Sequence, residues 1–270
     1  MSVDSFFYTH PIFRFEQFAA YKAEHGEMNK DHVYQALHYY IRKGRIFSIR
    51  RGLLAVVPPG QSVKDVHIDP YALSGSITDD SILSYHTALK LHGFGYSLFL
   101  RQTFKTRYKI KPFNYEINFF QPVVHKIFMN KGLPNEFTET VNRNGTDIRL
   151  TNLASTYVDV LDRPNLCGGW EEVYRSLSNI AVLPADEVLH YCLALESPIL
   201  CAKVGYFLER RAGVFAAKTA VLDQLKAHKP KSPYYLAGST KEPCQYIKKW
   251  NLMIPKSHLN NTWEEPSHDI

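Results

Sequence analysis

Residues 28–58, MNKDHVYQALHYYIRKGRIFSIRRGLLAVVP, constrain this chain more than any other stretch. Val33, Leu37, Tyr40 and Ile41 recur at the spacing of one buried helix face. Gly44 is placed to end that helix in a left-handed turn. Arg45 to Ile49 and Leu53 to Val57 are short β-rich runs on either side of Arg50-Arg51-Gly52, which predicts a two-stranded ribbon closed by a tight turn. Arg42, Lys43, Arg45, Arg50 and Arg51 crowd this segment with no acid among them. Upstream, Arg14 to His25 repeats a helical pattern, with Phe15, Phe18, Ala19 and Lys22 along one side and Gly26 as terminator. Asn29 is suited to cap the second helix, with Asp31 early where the helix dipole favours it. Helix, short turn, helix, hairpin is the order of a winged helix-turn-helix. In that arrangement the second helix enters the major groove and the hairpin tip lies against phosphates. Off the apolar stripe stand Lys30, Tyr34, Gln35, His38 and Arg42, types that reach base edges or phosphates. A plain solvated face competes as a reading of the helix alone, and the basic hairpin beside it favours nucleic acid.

A chain of 270 residues can hold one large domain or two ordinary ones, and 45% hydrophobic with 13% aromatic residues is enough for real cores, which excludes wholesale disorder. The formal net charge of +6 leans toward an anionic partner. Cys167, Cys192, Cys201 and Cys244 are far apart and make no CxxC, so neither a disulfide framework nor a zinc site is expected. They fit buried thiols in a reducing compartment. No basic segment leads into a long apolar run, and no apolar stretch approaches the ~20 residues that span a bilayer. A cytoplasmic protein with no membrane partner is expected.

Pro58-Pro59-Gly60-Gln61-Ser62 breaks the pattern and predicts a boundary, giving a first domain over 1–60 and a second over 61–270. Ser2 to His10 reads as an extended lead-in. Beyond the boundary, helices are expected at 70–77 and 84–93, the latter with Ser84 as N-cap and Gly93 just past its end. Residues 96–128 are aromatic and β-branched and predict sheet, with a further strand at 147–150 after an Asn144-Gly145 turn. Helices follow at 152–162, 170–179, 185–196, 199–211 and 215–227, then an ordered element at Trp250 to Pro255 and a polar, frayed end. The fold class is therefore α+β, an N-terminal winged helix-turn-helix joined to a larger mixed α/β domain.

No GxSxG, HExxH, P-loop or GxGxxG is present. His86 and His92, six apart on one short helix, are placed for structural hydrogen bonds rather than a shared metal. An alternative reading is a metal-dependent nuclease acting through the second domain. It would use Glu116-Ile117-Asn118 as a strand-borne acidic element with Asp69, Asp79 or Asp80 upstream. Asn118 stands where such a site needs a lysine, so no catalytic residue, metal or cofactor is assigned. Asp159 and Asp162, followed by Arg163, suit salt bridging or capping. A second cationic run, Arg101, Lys105, Arg107, Lys109 and Lys111, is again free of acids. It suits either a second anionic surface or the protection of a sheet edge.

The blocks THPIF, FEQF, YYIRKGRIFSIRRGLLAVVPPG, DPYAL, SYHTALKLHG, VDVLDRPNLCGGWEEVYRSL, AKVGYFLE and WNLMIP occur in this order over nearly the whole chain. In that order and spacing the sequence resembles the AbiEi family, bacterial antitoxins of type IV, abortive-infection toxin–antitoxin systems. The Gly44-Arg45 to Arg50-Arg51-Gly52-Leu53 segment and the Asp162-Arg163-Pro164 to Gly168-Gly169-Trp170-Glu171-Glu172 segment carry most of the likeness. The resemblance implies a winged helix-turn-helix that binds double-stranded DNA at inverted repeats in its own promoter and represses the operon. It also implies a C-terminal α/β antitoxin domain that counteracts a nucleotidyltransferase-like toxin without a stable complex. On this reading Lys30, Gln35 and His38 read the major groove, Arg42, Lys43 and Arg45 grip the flanking backbone, and Arg50 with Arg51 places the wing. One departure is that many relatives carry Glu-Arg-Thr where this chain has Ala154-Ser155-Thr156.

Overall fold

The computed structural model describes residues 2–124, 128, 132–143, 145–215, 218–238 and 242–260. Asn144 of the expected turn, part of the expected sheet region near 125–127, residues 216–217 of the last expected helix and the polar end at 261–270 lie outside the described residues. The contacts divide the chain into two compact units. One joins Met1–Leu83, Leu100–Pro134 and Thr138–Leu150, and the other joins Ser84–Phe99, Asn135–Phe137 and Thr151–Ile270. The Pro58 to Ser62 break falls inside the first unit.

The first unit opens with α1 (Val3–Thr9) in place of the expected extended lead-in. Ser2 caps it by accepting from the Ser5 N–H at 3.2 Å, and its Phe6 and Phe7 are buried. Next come β1 (Ile12–Arg14), α2 (Phe15–Glu24), α3 (Lys30–Arg42), β2 (Ile46–Arg50) and β3 (Leu53–Val56). The three strands form an antiparallel sheet in the order β1-β3-β2. Phe6, Phe7, Phe13, Phe18 and Tyr21 pack with Val33 and Leu37 of α3 and with Ile46 and Leu54 of the hairpin. This apolar cluster fixes α3 against the sheet. Asn29 caps α3 as expected, accepting from the Asp31 N–H at 2.9 Å, and Gly44 ends it at φ +66. Ile41, assigned to the buried face, is 37% exposed. It lies near the rim of the stripe, where the sheet no longer covers it.

A short 3₁₀ turn leads to α4 (Pro70–Ser76), capped by Asp69. A six-stranded mixed sheet follows, built from β4 (Ile82–Leu83), β5 (Arg101–Lys105), β6 (Phe113–Tyr115), β7 (Asn118–Val123), β8 (Thr138–Arg143) and β9 (Thr146–Thr151), in the order β6-β7-β5-β4-β9-β8. β5 runs parallel to β7 and β4 parallel to β9, while β4/β5 and β6/β7 are antiparallel.

The second unit contains α5 (His86–Leu91), α6 (Leu153–Asp162), α7 (Trp170–Ser178), α8 (Ala185–Ala194), α9 (Pro198–Arg210), α10 (Ala212–Phe215), α11 (Thr219–Ala227) and α12 (Lys256–Asn260). It also holds a small sheet of β10 (Tyr234–Tyr235), β11 (Cys244–Ile247) and β12 (Leu252–Pro255). α6 is the central helix, buried from Ala154 to Leu161. Ala154, Ser155 and Thr156 therefore sit inside the core, where their small side chains fit. Asp159 is buried there and accepts from the Tyr191 hydroxyl at 2.9 Å, and Asp162 pairs with Arg163 at 3.4 Å. Ser84 does not cap α5. Tyr85 precedes the helix at φ 56, a left-handed conformation that turns the chain before His86 begins it. The architecture is α+β, and no described helix is long and apolar enough to cross a membrane.

Candidate nucleic-acid interface

At ~100° per residue, Lys30, Ile41, Tyr34, His38, Asp31, Arg42 and Gln35 fall in sequence around one contiguous arc of α3. All are exposed, while Val33 and Leu37 mark the edge of the buried face. The hairpin stands beside this arc. A cleft of about 650 Å³ runs between them, lined among others by Tyr34, His38, Ile41, Ser48, Arg51 and Gly52. Phe15 of α2 stacks on Tyr34 at 4.4 Å and floors one end, and Glu16 is the single acid lining it. Gly52 takes φ +78 where the ribbon turns, and a bulge between Ser48 and Arg50 increases its twist.

The expected site residues divide into three groups. Lys30, Gln35, His38, Arg42, Lys43 and Arg51 are exposed along the helix arc, its C-terminal end and the hairpin tip. Arg45 is exposed but already engaged. It pairs with Asp4 of α1 and lies over the rings of Phe7 and Tyr40 at 5.4 and 5.7 Å. That guanidinium therefore joins α1 to the end of α3. Arg50 is half-buried and turned toward the large sheet. Its guanidinium stacks on Phe113 of β6 at 4.3 Å, and its Nη1 is buried without a hydrogen-bond partner among the described residues. Arg50 is the last residue of β2, past the bulge, and turns to Phe113, whereas Arg51 stands in the turn and stays exposed.

This split makes a prediction. If this surface takes up DNA, Arg51→Ala should weaken binding to any duplex and reduce the salt slope by about 1, at unchanged stability. Arg50→Ala should lower the melting temperature. Parallel gel-shift titrations and thermal melts check both, and an Arg50→Ala protein that melts like the parent would contradict the Phe113 anchor.

The second cationic run does not form one surface. Lys105 is 4% exposed. Arg107 holds the Asp79 carboxylate at 3.0 Å and donates its backbone N–H to Asp80 at 2.8 Å. Arg101 is exposed and lies 5.9 Å from the Phe119 ring, and Lys109 and Lys111 are exposed beyond the strand. β5 lies between β7 and β4, so edge protection is not its role either.

Three of the four carboxylates of the nuclease reading are engaged by other groups. Asp69 caps α4 and pairs with Arg143 at 2.8 Å, Asp79 and Asp80 bind Arg107, and Glu116 is exposed in the β6–β7 turn at φ 49. Among the described residues no three His, Cys, Asp or Glu side chains are grouped to hold a metal. His86 contacts Glu172 at 3.0 Å, and His92 contacts the Thr151 carbonyl at 2.9 Å, the structural bonding expected of both.

No protein-family profile matches the sequence, and neither does any curated protein. The chain defines an α+β protein of two compact units. Among solved structures it is similar to the crystal structure of the RV2827C protein from Mycobacterium tuberculosis, with a TM-score of 0.56 at 14% sequence identity, over 97% of this chain and 94% of that one. At that identity the likeness concerns the fold alone.

Proposed function

We propose that this protein is a DNA-binding transcriptional repressor that doubles as the antitoxin of a bacterial type IV toxin–antitoxin operon. Residues 1–60 act as a winged helix-turn-helix in this reading. The observation that carries it is the exposed Lys30–Gln35–His38–Arg42 arc of α3 beside a hairpin tipped by Arg51. From His32 to Lys64 the sequence carries six Lys and Arg and no acid, so phosphates meet little repulsion there. Gln35 and His38 supply donors and acceptors for base edges, and Lys30 suits guanine. Arg42, Lys43 and Arg51 supply backbone contacts that set register. The resemblance to AbiEi antitoxins supports inverted repeats in the protein's own promoter as the target and a nucleotidyltransferase-like toxin as the functional partner.

The test is a footprint and gel shift on the DNA upstream of the gene. Gln35→Ala with His38→Ala should cut the preference for that fragment over random duplex at least ~10-fold, while non-specific binding persists. Equal affinity of the parent for both fragments would overturn the repressor role. Co-expression with the adjacent gene product tests the antitoxin role, with restored growth as the expected result.

A further inference from the structure

The segment from Lys226 to Lys256 contains seven lysines and one glutamate, so it alone carries the +6 that is the formal net charge of the whole chain. It also contains the small sheet β10-β12-β11. The register pairs Tyr235 with Met253 and Met253 with Tyr246, which puts these three side chains in one row on one face. Both tyrosines of the row are 44% exposed. Leu252 and Ile254 alternate to the opposite face and are fully buried with Trp250. At β12 that face is the inner one, while Tyr234, which shares it on the edge strand β10, stays 40% exposed, and the tyrosine row lies on the outer face.

We propose that this outer face binds single-stranded nucleic acid, separately from the duplex contacts of α3. Exposed aromatic rings in a row on a sheet give unpaired bases a surface to stack on, which a base inside a duplex cannot use. The platform is held in advance. The Tyr246 hydroxyl donates to Asn251 Oδ1 at 2.7 Å, and Asn251 in turn donates to the Pro230 carbonyl at 2.7 Å. The flanking lysines divide by task. Lys229 donates to the Lys248 and Lys249 carbonyls, and Lys249 pairs with Glu209, so both are structural. Lys231, Lys248 and Lys256 are exposed, with no carboxylate at ion-pair distance among the described residues, and supply the cations for a phosphate backbone. A protein partner with an acidic surface would use the lysines but has no need of the ring row.

The experiment is fluorescence anisotropy of the full chain with labelled oligouridylate, oligothymidylate and a blunt duplex of random sequence. Tyr235→Ala with Tyr246→Ala should weaken single-strand binding at least ~10-fold and leave duplex binding by α3 unchanged. Tyr235→Phe with Tyr246→Phe keeps the rings but loses the Asn251 bond, and should bind far more tightly than the alanine pair, close to the parent. Lys231→Ala with Lys248→Ala should flatten the salt dependence for the single strand by a slope of about 1.4. Circular dichroism melts confirm that each variant is folded. Failure of the parent to bind either oligonucleotide would overturn the proposal. So would an alanine pair that binds as the parent does. Displacement of the RNA by polyglutamate with no effect of the alanine pair would overturn it in favour of an acidic protein partner. None of these outcomes bears on promoter recognition by α3.

Discussion

Gly205→Ala is expected to destabilise the second unit by about 3 kcal/mol, at the upper end for overpacking a rigid contact. A Cβ at Gly205 would lie 2.1 Å from the Trp250 ring, and its three nearest atoms all belong to the indole. Trp250 has no room to retreat. It is fully buried, and its Nε1–H donates to Glu209 Oε2 at 2.7 Å, one turn further along α9. Glu209 also holds Lys249, so ring, carboxylate and ammonium form one rivet between α9 and the strand that follows. Burial raises the Glu209 carboxyl, but the bonds from Lys249 and Trp250 outweigh it and hold the group below its usual value. Moving the indole breaks these bonds together. The melting temperature should fall by roughly 6–12 °C, and the indole fluorescence should shift to the red as Trp250 meets water. Trp250→Leu in the Gly205→Ala background should recover part of the loss by removing the clash. A Gly205→Ala protein that melts like the parent would show that α9 does not seat the small sheet through this contact.

The sequence betrays such contacts unevenly. α3 was legible because thirteen residues show a full amphipathic period, a cap at Asn29 and a terminator at Gly44. α6 to α9 were legible for the same reasons. α1 was not, because seven residues hold too little of a period, and only its burial of Phe6 and Phe7 makes it a helix. β4 is two residues long and β8 is mostly polar, so neither offers the alternation that marks a strand. The candidate interface was half legible. Charge counted along the chain put Arg45 and Arg50 beside Arg42 and Arg51, and Lys105 in a second run, but charge cannot say which side of a strand a residue faces. The neighbours that claim Arg45 and Arg50 are Asp4 and Phe113, far away in sequence. The tyrosine row is a case of the same kind. Tyr235 and Tyr246 become neighbours of Met253 only through the register of three strands, one pair of them parallel.

Glu172→Ala should destabilise the second unit by about 3–5 kcal/mol. Oε1 of Glu172 accepts from His86 Nε2 at 3.0 Å, from the Ser97 backbone N–H at 2.9 Å and from the Ser176 hydroxyl at 3.0 Å. Ser176 in turn accepts from the Tyr96 N–H at 3.0 Å, so the loop between α5 and β5 hangs on this group. His86 and Glu172 are 2% and 5% exposed, and His86 Nδ1 already lacks a hydrogen-bond partner among the described residues. Without the carboxylate both imidazole nitrogens would be buried unbonded. Glu172→Gln keeps an acceptor and should cost only about 1–2 kcal/mol. The pair also dictates the response to acid. Burial pushes the His86 imidazole below its ordinary value near 6.5, with the Glu172 contact opposing it only in part. The folded state then stays neutral while the unfolded chain takes up a proton, so this contribution is complete above about pH 6.5 and declines below it. Burial raises the Glu172 carboxyl, but its three donors outweigh that and hold it below the ordinary 4.5. Its contribution is complete above that value and is lost as the pH falls through the lower folded one. Thermal melts from about pH 7 downward should show a first decline below pH 6.5, smaller in His86→Gln, and a second at more acid pH, smaller in Glu172→Gln. A parent protein whose melting temperature is flat from neutral pH to about pH 4 would rule out this account of the pair.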